Sequence, residues 1–107
     1  MKITKLTDYT RGWIIGNFRP SLFETGDFEV GILHHQKGED WPEHYHRIAT
    51  EYNVLIEGSM AVNGNILNKG DVFVIEKSEI SKPIFLEDCT VLVVKVPSAI
   101  GDKYNVI

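Results

Sequence analysis

The apolar residues of this chain come in short runs, each cut off by glycine, proline, asparagine or charged residues before a stable helix could form. Gly12 to Phe18 and Phe28 to His35 are the first two. Glu51 to Glu57, Ser59 to Val62, Asp71 to Glu76, Pro83 to Leu86 and Thr90 to Val96 follow. No long window carries the periodicity of an amphipathic helix. Asn63-Gly64 lies between Ser59–Val62 and the pair Ile66-Leu67, which is the strongest short hairpin signal. Pro97 stops the last run. Many short strands at close spacing predict an all-β antiparallel sandwich or barrel rather than a parallel α/β sheet.

Length and charge narrow the partners. The 107 residues suit one domain, residues 1–107, with one core. A hydrophobic fraction of 43% argues against disorder. The net charge is −4 and no Lys/Arg cluster occurs, so no nucleic-acid partner is expected. No apolar run approaches membrane-spanning length, and residues 1–5 lack the apolar stretch of a signal peptide. The single cysteine, Cys89, cannot pair within the chain, so a reducing cytoplasm is the expected location.

The residues that carry chemistry sit between Gly38 and Gly58. They read G-x5-H-x-H-x4-E-x6-G: Gly38, His44, His46, Glu51, Gly58. Residues i and i+2 of a strand share a face, so both imidazoles can reach one point. Glu51 has the wrong parity for a continuous strand, so the chain must turn over Arg47 to Thr50. Glu51 then opens the next strand, with Asn53 and Leu55 on its face. Two imidazoles and a carboxylate are the donors of a 2-His-1-carboxylate site for iron, manganese, nickel or zinc. The competing reading is a metal-free cluster in which Glu51 accepts a hydrogen bond from one imidazole.

This motif resembles the first motif of the cupins, small antiparallel jelly-roll barrels, and all five defining positions match. The likeness spans roughly Phe28 to Pro97. It implies a cupin-like jelly-roll β-barrel in which His44, His46 and Glu51 hold a divalent metal. The second cupin motif, G-x5-P-x-G-x2-H-x3-N, survives only at Gly70. Glu76, Ser78, Ser81 and Phe85 stand at its other positions. Ser81 therefore replaces the fourth ligand. Adjacent strand residues face opposite ways, and the resemblance, counted back from Gly38, implies that His35 rather than His34 faces inward as an auxiliary residue; an exposed or partly packed histidine is the plainer reading.

Further expectations concern the surroundings. Asn53 lines the pocket, and Leu55, Phe73, Leu92 and Val94 supply apolar walls. Trp41 borders the mouth. Tyr45 and Tyr52 face away. Arg47 and Lys82 are candidate anion binders, though lone surface cations are the plainer reading. Residues Ser98 to Ile107 form a surface strap. No dedicated catalytic base is evident. The resemblance implies oxygenase or isomerase/epimerase chemistry on a small polar metabolite such as a sugar or organic acid. The alternative is a non-catalytic binding module with a degenerate metal site. Either version is expected to form a homodimer, because an open jelly roll leaves edges and an apolar face to cover.

Overall fold

The apolar runs fold into strands, after two short 3-10 turns at Leu6–Asp8 and Thr10–Gly12. The structure is a computed structural model that describes residues 1–106; Ile107, the last residue of the expected strap, lies outside the described residues. In chain order the strands are β1 (Trp13–Gly16), β2 (Phe23–Glu24), β3 (Glu29–His35), β4 (His44–Tyr45), β5 (Thr50–Glu57) and β6 (Ser59–Val62). They continue with β7 (Asn65–Asn68), β8 (Val72–Ile75), β9 (Pro83–Phe85), β10 (Cys89–Val96) and β11 (Tyr104–Asn105).

Six strands form the larger sheet in the order β2-β1-β3-β10-β5-β8, and β7-β6-β9 form a second. All pairings are antiparallel except the short β1–β2 contact. The two sheets pack face to face as a jelly roll. Their hydrogen bonds do not close into a continuous barrel. The predicted hairpin joins β6 to β7, with Asn63 and Gly64 at φ 51° and 80°. Both values lie in the left-handed region that such a turn demands. Gly58 sits at φ 92°, and a Cβ there would strike the carbonyl of Asp88.

Register decides what faces the core. Glu51 lies opposite Lys95 and Ile75, Asn53 opposite Val93 and Phe73, and Leu55 opposite Val91. On β3 the same row continues through Glu29, Gly31, Leu33 and His35. Leu55, Ile75, Cys89, Val91 and Val93 from the large sheet meet Met60, Val62 and Phe85 from the small one. Leu55 is 0% exposed, a burial that contributes about 2 kcal/mol. Cys89 opens β10 inside this core, where burial pushes its thiol up and keeps it unreactive.

Two expectations need correction. Leu92 and Val94 are not walls of the interior, because β10 turns Val91 and Val93 inward instead. Residues after Ser98 are not merely a strap, since Tyr104–Asn105 pair with His44–Tyr45 as a small third sheet.

Candidate metal centre

His44 is oriented from two sides. Its backbone exchanges hydrogen bonds with Ser81, N to O at 3.0 Å and the reverse at 2.9 Å. Its Nδ1 lies 3.1 Å from the carbonyl of Pro42. A carbonyl only accepts, so Nδ1 carries the proton and Nε2 of the neutral ring is bare. That is the usual way a ligand histidine is fixed. The His44 and His46 rings meet edge-on, with centroids 5.5 Å apart. Strand β4 stops at Tyr45, so His46 is placed by the turn that follows rather than by a continuing strand.

His46 is 4% exposed and lies between two charged groups. Its Nδ1 is 3.1 Å from Glu51 Oε2, and its Nε2 is 3.4 Å from Lys95 Nζ. With Glu51 ionised, Nδ1 donates to the carboxylate and Nε2 accepts from the ammonium. Burial and the Lys95 charge hold the imidazole down to about 4. Burial pushes the Glu51 carboxyl up, against the pull of Lys95. An unfolded chain takes the histidine proton near 6.5, whereas the folded one resists until about 4. The contribution of His46 to stability is therefore present above pH 6.5 and is lost as pH falls through that window. Protonation of Glu51 acts in the opposite direction. Urea melts at about pH 7 and pH 4.5 should show His46→Gln losing about 2 kcal/mol less on acidification than the wild type. Equal losses would remove His46 as the cause.

The turn between His46 and Glu51 is clamped from far along the chain. Asp102, 6% exposed, accepts hydrogen bonds from the backbone N–H groups of Arg47, Ile48 and Ala49 at 2.9 to 3.1 Å. Tyr104 stacks on Tyr45 at 5.4 Å, and the Arg47 guanidinium lies 4.4 Å from the Tyr104 ring centroid. The parity break foreseen between His46 and Glu51 is thus held by a carboxylate and an aromatic stack that local sequence does not reveal.

His44, His46 and Glu51 line a cavity of about 260 Å³. His35, Asn53 and Ser81 all line it, as do Trp41 and Phe73. His35 Nδ1 is 2.6 Å from Glu39 Oε2, and its ring stacks on Phe85 at 4.3 Å. His34 points outward to Thr90. Neither expected anion binder reaches the cavity: Arg47 packs on the tyrosines and Lys82 lies 3.9 Å from Asp40. The cations that do line it are Arg11, Lys95 and Lys103. The visible signal for Lys95 was its place in an otherwise apolar strand. Arg11 and Lys103 had none.

The donor set fits a divalent metal. One ligand atom from each of His44, His46 and Glu51 lies within 4.8 Å of the others, and these are imidazole and carboxylate donors. Lys95 competes for this set, because it occupies the His46 lone pair. Lys95→Met should tighten divalent-metal affinity by about tenfold or more, as expected when a nearby like charge is removed. Competition with a chelating dye measures it; unchanged or weaker affinity would refute the competition.

No protein-family model and no curated protein sequence matches the chain. Solved structures do match in fold. A double-stranded β-helix protein from Klebsiella pneumoniae shares 21% identity, over 97% of this chain and 90% of that one, with a TM-score of 0.71. KdgF from Halomonas sp. shares 21% identity over 71% and 74%, with a TM-score of 0.63. Oxalate decarboxylase from Bacillus subtilis shares 16% identity over 76% of this chain and 24% of that one, at a TM-score of 0.65. The fold is the double-stranded β-helix of the cupins, and it holds a His-His-Glu cluster that could bind a metal. No helix of the described residues is long and apolar enough to cross a membrane.

Proposed function

We propose that this protein holds iron, manganese, nickel or zinc through His44, His46 and Glu51 and acts on a small polar metabolite, a sugar or an organic acid. The observation that carries this is that His44, His46 and Glu51 bring ligand atoms within 4.8 Å of one another in the wall of a cavity of a size for such a molecule. Bound there, the metal supplies Lewis-acid polarisation or activation of oxygen, the chemistry of oxygenases and isomerases or epimerases. The chain supplies the rest. Trp13, Phe73 and Val93 give the cavity apolar walls. His35, braced by Glu39 and lining the same cavity, is the group best placed to hold or move a proton. Fold neighbours that include an oxalate decarboxylase and a dimethylsulfoniopropionate lyase support enzyme-like use of this scaffold. The test is elemental analysis after anaerobic loading with each of the four metals. Near-stoichiometric metal supports the reading, and none with any of them sinks it.

A second reading is favoured by two features, Ser81 in place of a fourth ligand and Lys95 on the His46 lone pair. It is a metal-free binding module for the same class of molecule. Both readings place the protein in the cytoplasm and assemble it as a homodimer. Support for the dimer comes from the outward face of β5 and β8, where Tyr52, Ile56, Val72 and Val74 are 42 to 72% exposed. Sedimentation at micromolar concentration should show a dimer, and a monomer alone would rule this assembly out.

A further inference from the structure

Three cations line the cavity, and none has a carboxylate partner. Arg11, Lys95 and Lys103 make no ion pair among the described residues. Glu51 is the only acidic side chain lining the cavity with them. Lys103, an exposed residue, lies over the Trp41 ring at 3.9 Å and Lys95 over Trp13 at 5.0 Å, so each ammonium group sits against an aromatic wall of the cavity. Burial lowers the pKa of Lys103, and the charges of Lys95 and Arg11 lower it further. Lys103 therefore feels both other cations, with Glu51 opposing them. A bound divalent ion would add to the surplus, since Glu51 offsets only part of its charge.

A second observation is independent of charge. Asn53 is 3% exposed, lines the cavity, and its Nδ2 has no hydrogen-bond partner. Trp41 Nε1 is likewise buried without one. An unmet buried donor costs about 1 to 3 kcal/mol, so these groups are best explained by a molecule that supplies acceptors. The cavity thus presents unmet donors inside and three lining cations, two of them on exposed residues, against Glu51 in its wall and Glu29 beside Lys95. A neutral sugar can accept from these donors through its hydroxyl oxygens but brings no charge to answer the cations, whereas a carboxylate does both. Arg and Lys side chains also suit phosphate, but the apolar walls beside them favour an anion that carries a carbon body.

We propose that the cavity binds a small organic carboxylate, with Arg11, Lys95 and Lys103 receiving the anion and Asn53 donating to a second ligand oxygen. The proposal rests on the small-metabolite reading above and selects the organic acid over the sugar. The volume and the walls of Trp13, Leu33, Phe73 and Val93 favour a body of a few carbons.

The test is calorimetric titration of metal-loaded and chelator-treated protein with acetate, pyruvate, succinate, 2-oxoglutarate and benzoate. Hydroxyacetone, acetamide, glucose and inorganic phosphate are the comparison probes. At least one carboxylate should bind at about 10 mM or below, and Arg11→Gln, Lys103→Gln and Asn53→Leu should each weaken it by about tenfold or more. Thermal melts of the three variants confirm that they are folded. Binding by an uncharged probe or phosphate at least as tight as by the best carboxylate overturns the proposal. So does unchanged carboxylate affinity in all three variants, or no carboxylate bound at that concentration. Carboxylate binding to chelator-treated protein that takes up no metal would sink the metal-dependent reading and leave this one standing.

Discussion

His44→Ala combined with His46→Ala is expected to abolish metal retention, lowering affinity by on the order of 1,000-fold. The two rings are the neutral donors of the cluster, and the remaining carboxylate cannot hold a transition metal alone. The substitution also rearranges charge. Lys95 loses its acceptor and Glu51 its donor, and the two lie opposite each other on neighbouring strands. They are left to pair with each other, which fills the place a metal would take. Elemental analysis measures the loss, and His44→Gln/His46→Gln with an unchanged melting temperature separates lost ligation from lost folding. Metal kept at wild-type stoichiometry by either double variant would show that these imidazoles are not the ligands.

Asp102→Ala should be the most damaging single change outside the cluster. It strips three backbone N–H groups of their acceptor in a turn the rest of the chain does not otherwise satisfy. Water can reach part of that turn, because Arg47 and Ile48 are exposed, whereas Ala49 is buried. We expect a loss of about 3 kcal/mol, or a Tm lower by roughly 15 °C for a domain of this size. Metal affinity should fall with it, since the turn sets Glu51 against His46. Asp102→Asn, which keeps one accepting oxygen, should recover part of both. A melting temperature within a degree or two of wild type for Asp102→Ala would refute the clamp.

The legible parts of the fold were those written in local pattern. The Asn63-Gly64 hairpin and the shared face of Glu51, Asn53 and Leu55 follow from turn chemistry and strand alternation, which also says that only one of His34 and His35 faces inward; the choice of His35 came from the cupin resemblance. Strand β10 defeated the same reasoning. Its run Val91-Leu92-Val93-Val94 is apolar at every position because the outward sheet face is also apolar, so alternation carries no sign of which side is in. The short β2 and β11 have too few residues to show any period. Arg11, Lys103 and Asp102 were illegible for a different reason. Each acts on residues distant in sequence, and nothing beside Arg11 or in Gly101-Asp102-Lys103 announces the partner.

The clamp also sets a timetable for synthesis. Arg47 and Asp102 are 55 residues apart. At ordinary translation rates the later residue is added roughly 3 to 11 s after the earlier one. During that interval His44, His46 and Glu51 exist on a nascent chain whose connecting turn has no acceptor. Because that turn waits for Asp102, the geometry of the His44, His46 and Glu51 cluster is completed late in synthesis, when the strands from β1 to β10 have already been made.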